Sequence, residues 1–265
     1  MREISEKERL RRVALTISNA KEFLDHHNEK KYRFIPIGVV QGINKETYAS
    51  GVKELVDYGY NYLALGSLVG YQTKEIINIL SFIRPHLGDA RLHLFGVLRP
   101  SEIATFEQLG VVSFDSASYF RKAWLRSGQN YLALDGKWYA AIRVPYSTQQ
   151  KINKNALKID ISQEKLKSME ERALDALREY NKGNLDLNDA LDKVMKYDDL
   201  LLRDSNDGQG LRKKYERTLI DKPWEKCGCS FCSESGIESL IFRGSNRNKR
   251  RGFHNTWVFN NYLKS

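Results

Sequence analysis

Apolar positions in the first 115 residues switch between two periods. Leu10, Val13, Ala14, Ile17 and Leu24 recur at helical spacing, and Ser5 with Glu8 reads as a capping box at the start of that helix. Four short apolar runs follow: "YRFIPIGVV" (32–40), "NYLALG" (61–66), "RLHLFGV" (91–97) and "VVSFD" (111–115). Each is short enough to be a strand. Between them lie helical patterns, one carrying Tyr48, Ala49, Val52, Leu55 and Val56, the next Ile76, Ile77, Leu80 and Ile83 and stopped by Pro85, and a short one after Pro100. Continuous apolar strands alternating with amphipathic helices predict βαβ units and a parallel sheet. The class is α/β, and the chemistry is expected at the carboxyl ends of the strands, where the runs close on Gly, Gln, Ser or Asp.

Beyond Asp115 the pattern changes. "YLALDGKWYAAIRV" (131–144) sets Asp135-Gly136 between apolar alternations, a strong hairpin signal. Residues 163–181 and 187–202 predict a pair of helices separated by "NKGN", with Leu166, Met169, Ala173, Leu177 and Tyr180 as the buried stripe of the first. A helical hairpin packed on the main domain accounts for them, and no catalytic signal lies there. "RDSNDGQG" (203–210) reads as a flexible loop.

The 265 residues allow one sizeable domain or two small ones. No apolar run is long enough to span a bilayer, and "MREISEKERLRR" lacks the apolar centre of a signal peptide, so a soluble cytoplasmic protein with no membrane association is expected. The formal net charge of +10 favours a polyanionic partner. The charge is concentrated in "FRGSNRNKRRGFHN" (242–255), which holds Arg243, Arg247, Lys249, Arg250 and Arg251 without an acid and intersperses aromatic and amide groups able to stack or hydrogen-bond. No glycine-rich phosphate loop supports an enzyme of small phosphorylated metabolites.

All three cysteines fall in "EKCGCSFCSES" (225–235) as Cys227, Cys229 and Cys232. Three thiols cannot pair off as disulfides, and their clustering fits a reducing compartment. The C-x-C-x-x-C spacing can wrap three thiolates around one ion, and His254 in "GFHNTWVF" is the histidine placed to complete a tetrahedral, structural Zn2+ site with no open position. A reduced thiol cluster without metal is the alternative.

In order along the chain, "GVVQG" (38–42), "YLALGSLVG" (62–70), "HLFGVLRP" (93–100) and "LGVVSFDSASYFRKAWLRSG" (109–128) resemble the tRNA-guanine transglycosylases, as does the C-x-C-x-x-C followed by His-Asn. The wording of "DKPWEKCGCSFCSESGIESLIFRGSNRNKRRGFHN" and the helical insertion before it are similar to one branch, the DNA-modifying transglycosylases called DpdA, which exchange guanine in DNA for 7-cyano-7-deazaguanine (preQ0). The resemblance implies a (β/α)8 barrel with a zinc-bearing extension. By the same resemblance Asp115 matches the nucleophile, and exchange at C1′ with retention calls for a carboxylate that forms a covalent glycosyl intermediate. Gln41 matches the amide that reads the purine edge, Gly66 the first glycine of a pair under the base, and Phe95 and Gly96 the floor on which it stacks. Ser67 stands where the second glycine is expected. Arg121 and Arg126 match backbone-binding arginines, in a stretch that departs from the tRNA enzymes.

Only four βα units can be counted, corresponding to the last four of that barrel, and the two aspartates of its first half, including the general base, have no counterpart. The expected organisation is therefore half a barrel with hairpin (1–147), a helical insertion (148–212) and a zinc module with a basic tail facing nucleic acid (213–265). Four parallel strands leave two unpaired edges. A separate chain supplying the first half, a longer reading frame, or pairing with a second copy could cover them. The expected partners are DNA, alternatively tRNA, and a 7-deazaguanine base; a non-catalytic zinc-bearing subunit that binds nucleic acid is the rival reading.

Overall fold

A computed structural model describes residues 4–125, 128–158, 160–202 and 208–264. It divides into two compact units, the first ending at Ala117 and the second beginning at Ser118.

The first unit opens with α1 (Glu6–Lys30). Ser5 caps it by accepting the Glu8 N–H, but the reciprocal half of the expected capping box does not form, because the Glu8 carboxylate accepts from Arg11 and Arg12 instead. Four strands alternating with three helices follow as β1 (Gly38–Val40), α2 (Lys45–Asp57), β2 (Tyr62–Leu65), α3 (Thr73–Ile83), β3 (Arg91–Leu94), α4 (Ile103–Gln108) and β4 (Val111–Phe114). The strands form one parallel sheet in the order β1-β2-β3-β4. Leu63, Leu65, Leu92 and Leu94 are fully buried against Tyr48, Val52 and Leu55 of α2 and Ile76, Leu80 and Ile83 of α3. Each buried leucine contributes about 1.5–3 kcal/mol. The first strand is shorter than its apolar run. Pro36 has no N–H to give the ladder, and Tyr32 and Phe34 instead stack on each other and meet the His27 ring at the end of α1 at steep angles.

The second unit holds α5 (Ser118–Leu125), β5 (Tyr131–Leu132), β6 (Trp138–Tyr139), β7 (Ile142–Arg143), α6 (Gln150–Leu157), α7 (Gln163–Lys182), α8 (Leu187–Leu202), α9 (Gly208–Asp221), α10 (Ser230–Ser235), β8 (Ile241–Phe242) and α11 (Ser245–Lys264). The hairpin forms, but only β5 and β6 belong to it, with Tyr131 opposite Tyr139 and Leu132 opposite Trp138. Asp135 accepts the Lys137 N–H, and Gly136 takes the left-handed conformation (φ 79°) that closes the turn. Residues 142–143 leave the hairpin to pair in parallel with β8. The helical pair α7 and α8 pack together, with Gly183 in the left-handed conformation as the C-cap of α7. The expected loop 203–210 is corrected at its end: Gly208 to Gly210 form the first turn of α9, and 203–207 lie outside the described residues. The basic segment is likewise no tail, because residues 245–255 are helical within α11. Among the described residues no helix is long and apolar enough to cross a membrane.

Candidate active site and metal centre

In the first unit the carboxyl ends of the four strands carry, in turn, Gln41, Gly66 with Ser67, Phe95 with Gly96, and Asp115. The loop bearing Gln41 is pinned from behind. Asn44 and Thr47 form a capping box at the start of α2, and the buried Tyr48 hydroxyl donates to the Gly66 carbonyl at 2.7 Å. Gly66 in turn donates to the Val40 carbonyl at 2.9 Å. A Cβ on Gly66 would come within 3.3 Å of Gln41 Cγ and 3.4 Å of its Nε2, so the amide lies directly against the glycine backbone. Ser67 adopts φ 63°, the left-handed region in which the second glycine of the resemblance would be unstrained.

Asp115 stands at the end of β4 with its side chain 62% exposed. Its Oδ1 accepts the Gly96 N–H at 2.9 Å and lies 3.2 Å from His93 Nε2. These contacts hold the carboxyl below its ordinary pKa, the Gly96 N–H contributing most and the His93 hydrogen bond less. Gly96 has φ 69°, and a Cβ there would meet Val69 Cγ2 at 2.8 Å, so the residue that presents this N–H has both reasons to be glycine. The Phe95 ring, 39% exposed, meets the His93 ring edge-on at 4.9 Å. The contact of His93 with Asp115 depends on strand register, which composition does not reveal.

In the second unit Cys227, Cys229, Cys232 and His254 are buried, with their ligand atoms all within 4.8 Å of one another. The His254 Nδ1 lies 3.6, 3.3 and 3.5 Å from the three sulfurs. Metal–sulfur and metal–nitrogen bonds of about 2.3 and 2.1 Å give a tetrahedral edge of roughly 3.6 Å, so the four groups fit one ion. Three thiolates and an imidazole form a complete shell.

Strand β5 of the hairpin closes over the cluster: the Leu132 carbonyl accepts His254 Nε2–H at 2.8 Å, the Tyr131 ring stacks on the imidazole at 4.1 Å, and the Tyr131 hydroxyl lies 3.2 Å from Cys232 Sγ. Asn255 secures that strand by accepting the Leu132 N–H and donating to the carbonyls of Asn130 and Tyr119.

The candidate nucleic-acid contacts do not form one class. Arg251 is corrected outright: it is fully buried, and its guanidinium donates to the carbonyls of Ser239, Ile241 and Ala123 and to Asn248 Oδ1. No phosphate can reach it. Arg243 lies over the Tyr146 ring and pairs with the buried Glu170. Arg247 and Arg250 pair with Glu238 and Glu234 beside a cavity of about 430 Å³ that Tyr146 and Phe231 also line. Lys249 and Arg121 are exposed, and Arg126 lies outside the described residues.

Comparison with known proteins relates the chain to a family and to a curated relative. The family model described as Queuine tRNA-ribosyltransferase (TGT) matches residues 2–240. A DNA-guanine transglycosylase of Salmonella montevideo is 37% identical over 256 residues, which cover 96% of this chain and 61% of the relative. The chain therefore spans about three-fifths of the length of that relative.

Proposed function

The chain belongs to the Queuine tRNA-ribosyltransferase family, and on that premise we propose that it takes part in guanine exchange on nucleic acid, with Asp115 as the nucleophile. The observation that carries the reading is the setting of Asp115: an exposed, ionised carboxylate at the end of β4, oriented by Gly96 and His93, at the same end of the sheet as Gln41 and Gly66. In this reading an Asp115 oxygen bonds to C1′ while the C1′–N9 bond breaks and its electron pair leaves with guanine. An incoming 7-deazaguanine, preQ0, gives up its N9 proton to a proton-handling carboxylate and attacks C1′ from the face that guanine left. The C1′–O bond breaks with its electron pair returning to Asp115. Gln41 reads the purine edge, the Gly66–Ser67 backbone lies beneath it, and Phe95 with Gly96 supplies a stacking floor. The target nucleotide leaves the base stack to reach these groups.

DNA is favoured over tRNA as the substrate because the relative that resembles nearly the whole chain is named for DNA. The family description, which names tRNA, supports the second reading. Labelled preQ0 offered with duplex DNA and with tRNA separates the two. Asp115→Asn is expected to abolish both incorporation and the covalent adduct, and an active Asn variant would refute the assignment.

The four-stranded sheet is, in the same proposal, part of a (β/α)8 barrel. Both of its edges, β1 and β4, lack a neighbouring strand among the described residues. In this reading the remaining strands and the proton-handling carboxylate come from a preceding segment or a separate chain; a second copy could add strands but not that carboxylate. The Cys3His cluster holds structural Zn2+, whose chemistry is to fix the fold of the second unit. Arg121, Lys249, Arg247 and Arg250 contribute to the nucleic-acid surface, with Arg126 and Arg243 as further candidates.

A further inference from the structure

Strands β3 and β4 are out of simple register. Leu92 lies opposite Val111, yet the next residue, His93, lies opposite Ser113, so Val112 is bulged out of the pairing and is 54% exposed. A bulge beside a functional group re-aims a side chain. Here it brings the Ser113 hydroxyl to 2.6 Å from His93 Nδ1. In regular register His93 would face Val112, which has nothing to offer an imidazole. The chain of contacts continues, because the Tyr62 hydroxyl on β2 hydrogen-bonds Ser113 Oγ, and the Arg91 guanidinium lies 4.9 Å over the Tyr62 ring.

The donor directions follow from chemistry. An ionised Asp115 only accepts, so the proton between it and His93 belongs to Nε2. A neutral imidazole protonated at Nε2 presents Nδ1 as an acceptor, so Ser113 donates to it and uses its lone pairs for the Tyr62 O–H. All three hydrogen bonds then run one way, from Tyr62 through Ser113 and His93 to Asp115 Oδ1. The second donor on Oδ1 is the Gly96 N–H. Both donors converge on Oδ1.

We infer that His93 is a positioning residue for Asp115, locked in its Nε2–H tautomer by the bulge-aimed Ser113 and by Tyr62, so that Oδ1 is held and Oδ2 performs the attack. The inference rests on the reading of Asp115 as nucleophile. When Oδ2 bonds to C1′, Oδ1 becomes the ester carbonyl and keeps its two donors. When that bond breaks, the same donors receive the charge that returns to the carboxylate. His93 gives up no proton in either step.

Two measurements on the full chain, with any complementary half supplied for the second, decide the matter. Imidazole 15N NMR at neutral pH is expected to show His93 protonated at Nε2, with the tautomer preference lost in Ser113→Ala; it needs no activity. A proton on Nδ1, or a preference unchanged in Ser113→Ala, would overturn the relay. In base exchange, His93→Ala is expected to lower kcat about 10- to 100-fold with little change in KM for the incoming base. His93→Gln, whose amide can still donate, is expected to recover part of the loss. Unchanged kcat in His93→Ala, or an equal loss in His93→Gln, would sink the positioning role while Asp115→Asn stays inactive. An active Asp115→Asn would instead remove the nucleophile reading itself, and the tautomer result would stand apart from it.

Discussion

His254 donates its Nε2–H to the carbonyl oxygen of Leu132 across 2.8 Å, and this one bond decides which ring nitrogen faces the three cysteines. With Nε2 committed, Nδ1 is the ligand atom, and it lies within 3.6 Å of all three sulfurs. The expected outcome is one zinc per chain by metal analysis and none in Cys229→Ser. Removing the metal leaves buried thiols facing one another, so a strong chelator is expected to lower the Tm of the second unit by about 10 °C or more, equivalent to several kcal/mol. Thiolate ligands must be deprotonated, so metal affinity is expected to fall on acidification. A chain that retains its Tm in chelator would contradict this.

Asn255 carries much of the same architecture, and its role was not legible beforehand. "His-Asn" was read as part of the metal motif, but the amide binds no metal. It ties α11 to Leu132 of β5, to Asn130 just before that strand and to Tyr119 of α5. The pattern of apolar runs was enough to anticipate all four parallel strands and the helices between them, because each strand is buried against helices and therefore reads as a continuous apolar stretch. The Asp135-Gly136 turn was equally plain. Pairings that depend on register were not. Nothing in "RLHLFGV" and "VVSFD" announces that Val112 is skipped, and without the skip His93 is one more strand residue. Charge misled in another way: Arg251 counts as one of five clustered cations, yet its helical phase sends it into the core while Lys249 points to solvent.

Ser67 tests whether a strained backbone is retained for function. A serine at φ 63° costs more than glycine there, while glycine gives up more chain entropy on folding. Ser67→Gly is therefore expected to stabilise the first unit by about 0.5–1 kcal/mol in chemical denaturation. A loss of stability would mean that the hydroxyl makes a compensating interaction. The same variant places at position 67 the glycine that the family resemblance implies, so base exchange should be measured alongside.

The Asp115 carboxyl is held below the ordinary range, first by the Gly96 N–H and then by His93. The sign of the consequence follows from linkage. A carboxyl with a depressed folded pKa adds stability that is present above its unfolded value, about 3.9, and is lost as pH falls through the folded value. Because the side chain is 62% exposed, solvent screens the effect and the contribution to stability is small. The protonation state is the sharper readout. A carboxyl 13C titration is expected to place the Asp115 midpoint below about 3.9, and His93→Ala to move it upward. A wild-type midpoint above that value would mean that the two donors do not hold the charged form.

Arg251 and Lys249 sit two positions apart on α11 and should separate folding from nucleic-acid binding. The Arg251 guanidinium is buried without a carboxylate partner among the described residues; its two terminal nitrogens donate to the carbonyls of Ser239, Ile241 and Ala123 and to Asn248, while Nε has no partner there. Burial, and then the neighbouring Arg247 cation, pull its pKa down. Arg251→Met would strand those acceptors in the core, and the expected cost is about 3 kcal/mol or more. Lys249 is exposed, so Lys249→Ala is expected to change stability by less than about 0.5 kcal/mol. If Lys249 meets a phosphate, the same change weakens DNA binding across sequences and reduces the slope of log affinity against log salt by about 1. A folded Arg251→Met chain with normal stability would show that the buried cation is dispensable. An unchanged salt slope in Lys249→Ala would remove that face of α11 from the nucleic-acid path and leave Arg121, together with Arg247 and Arg250 at the cavity beside α11, to carry it.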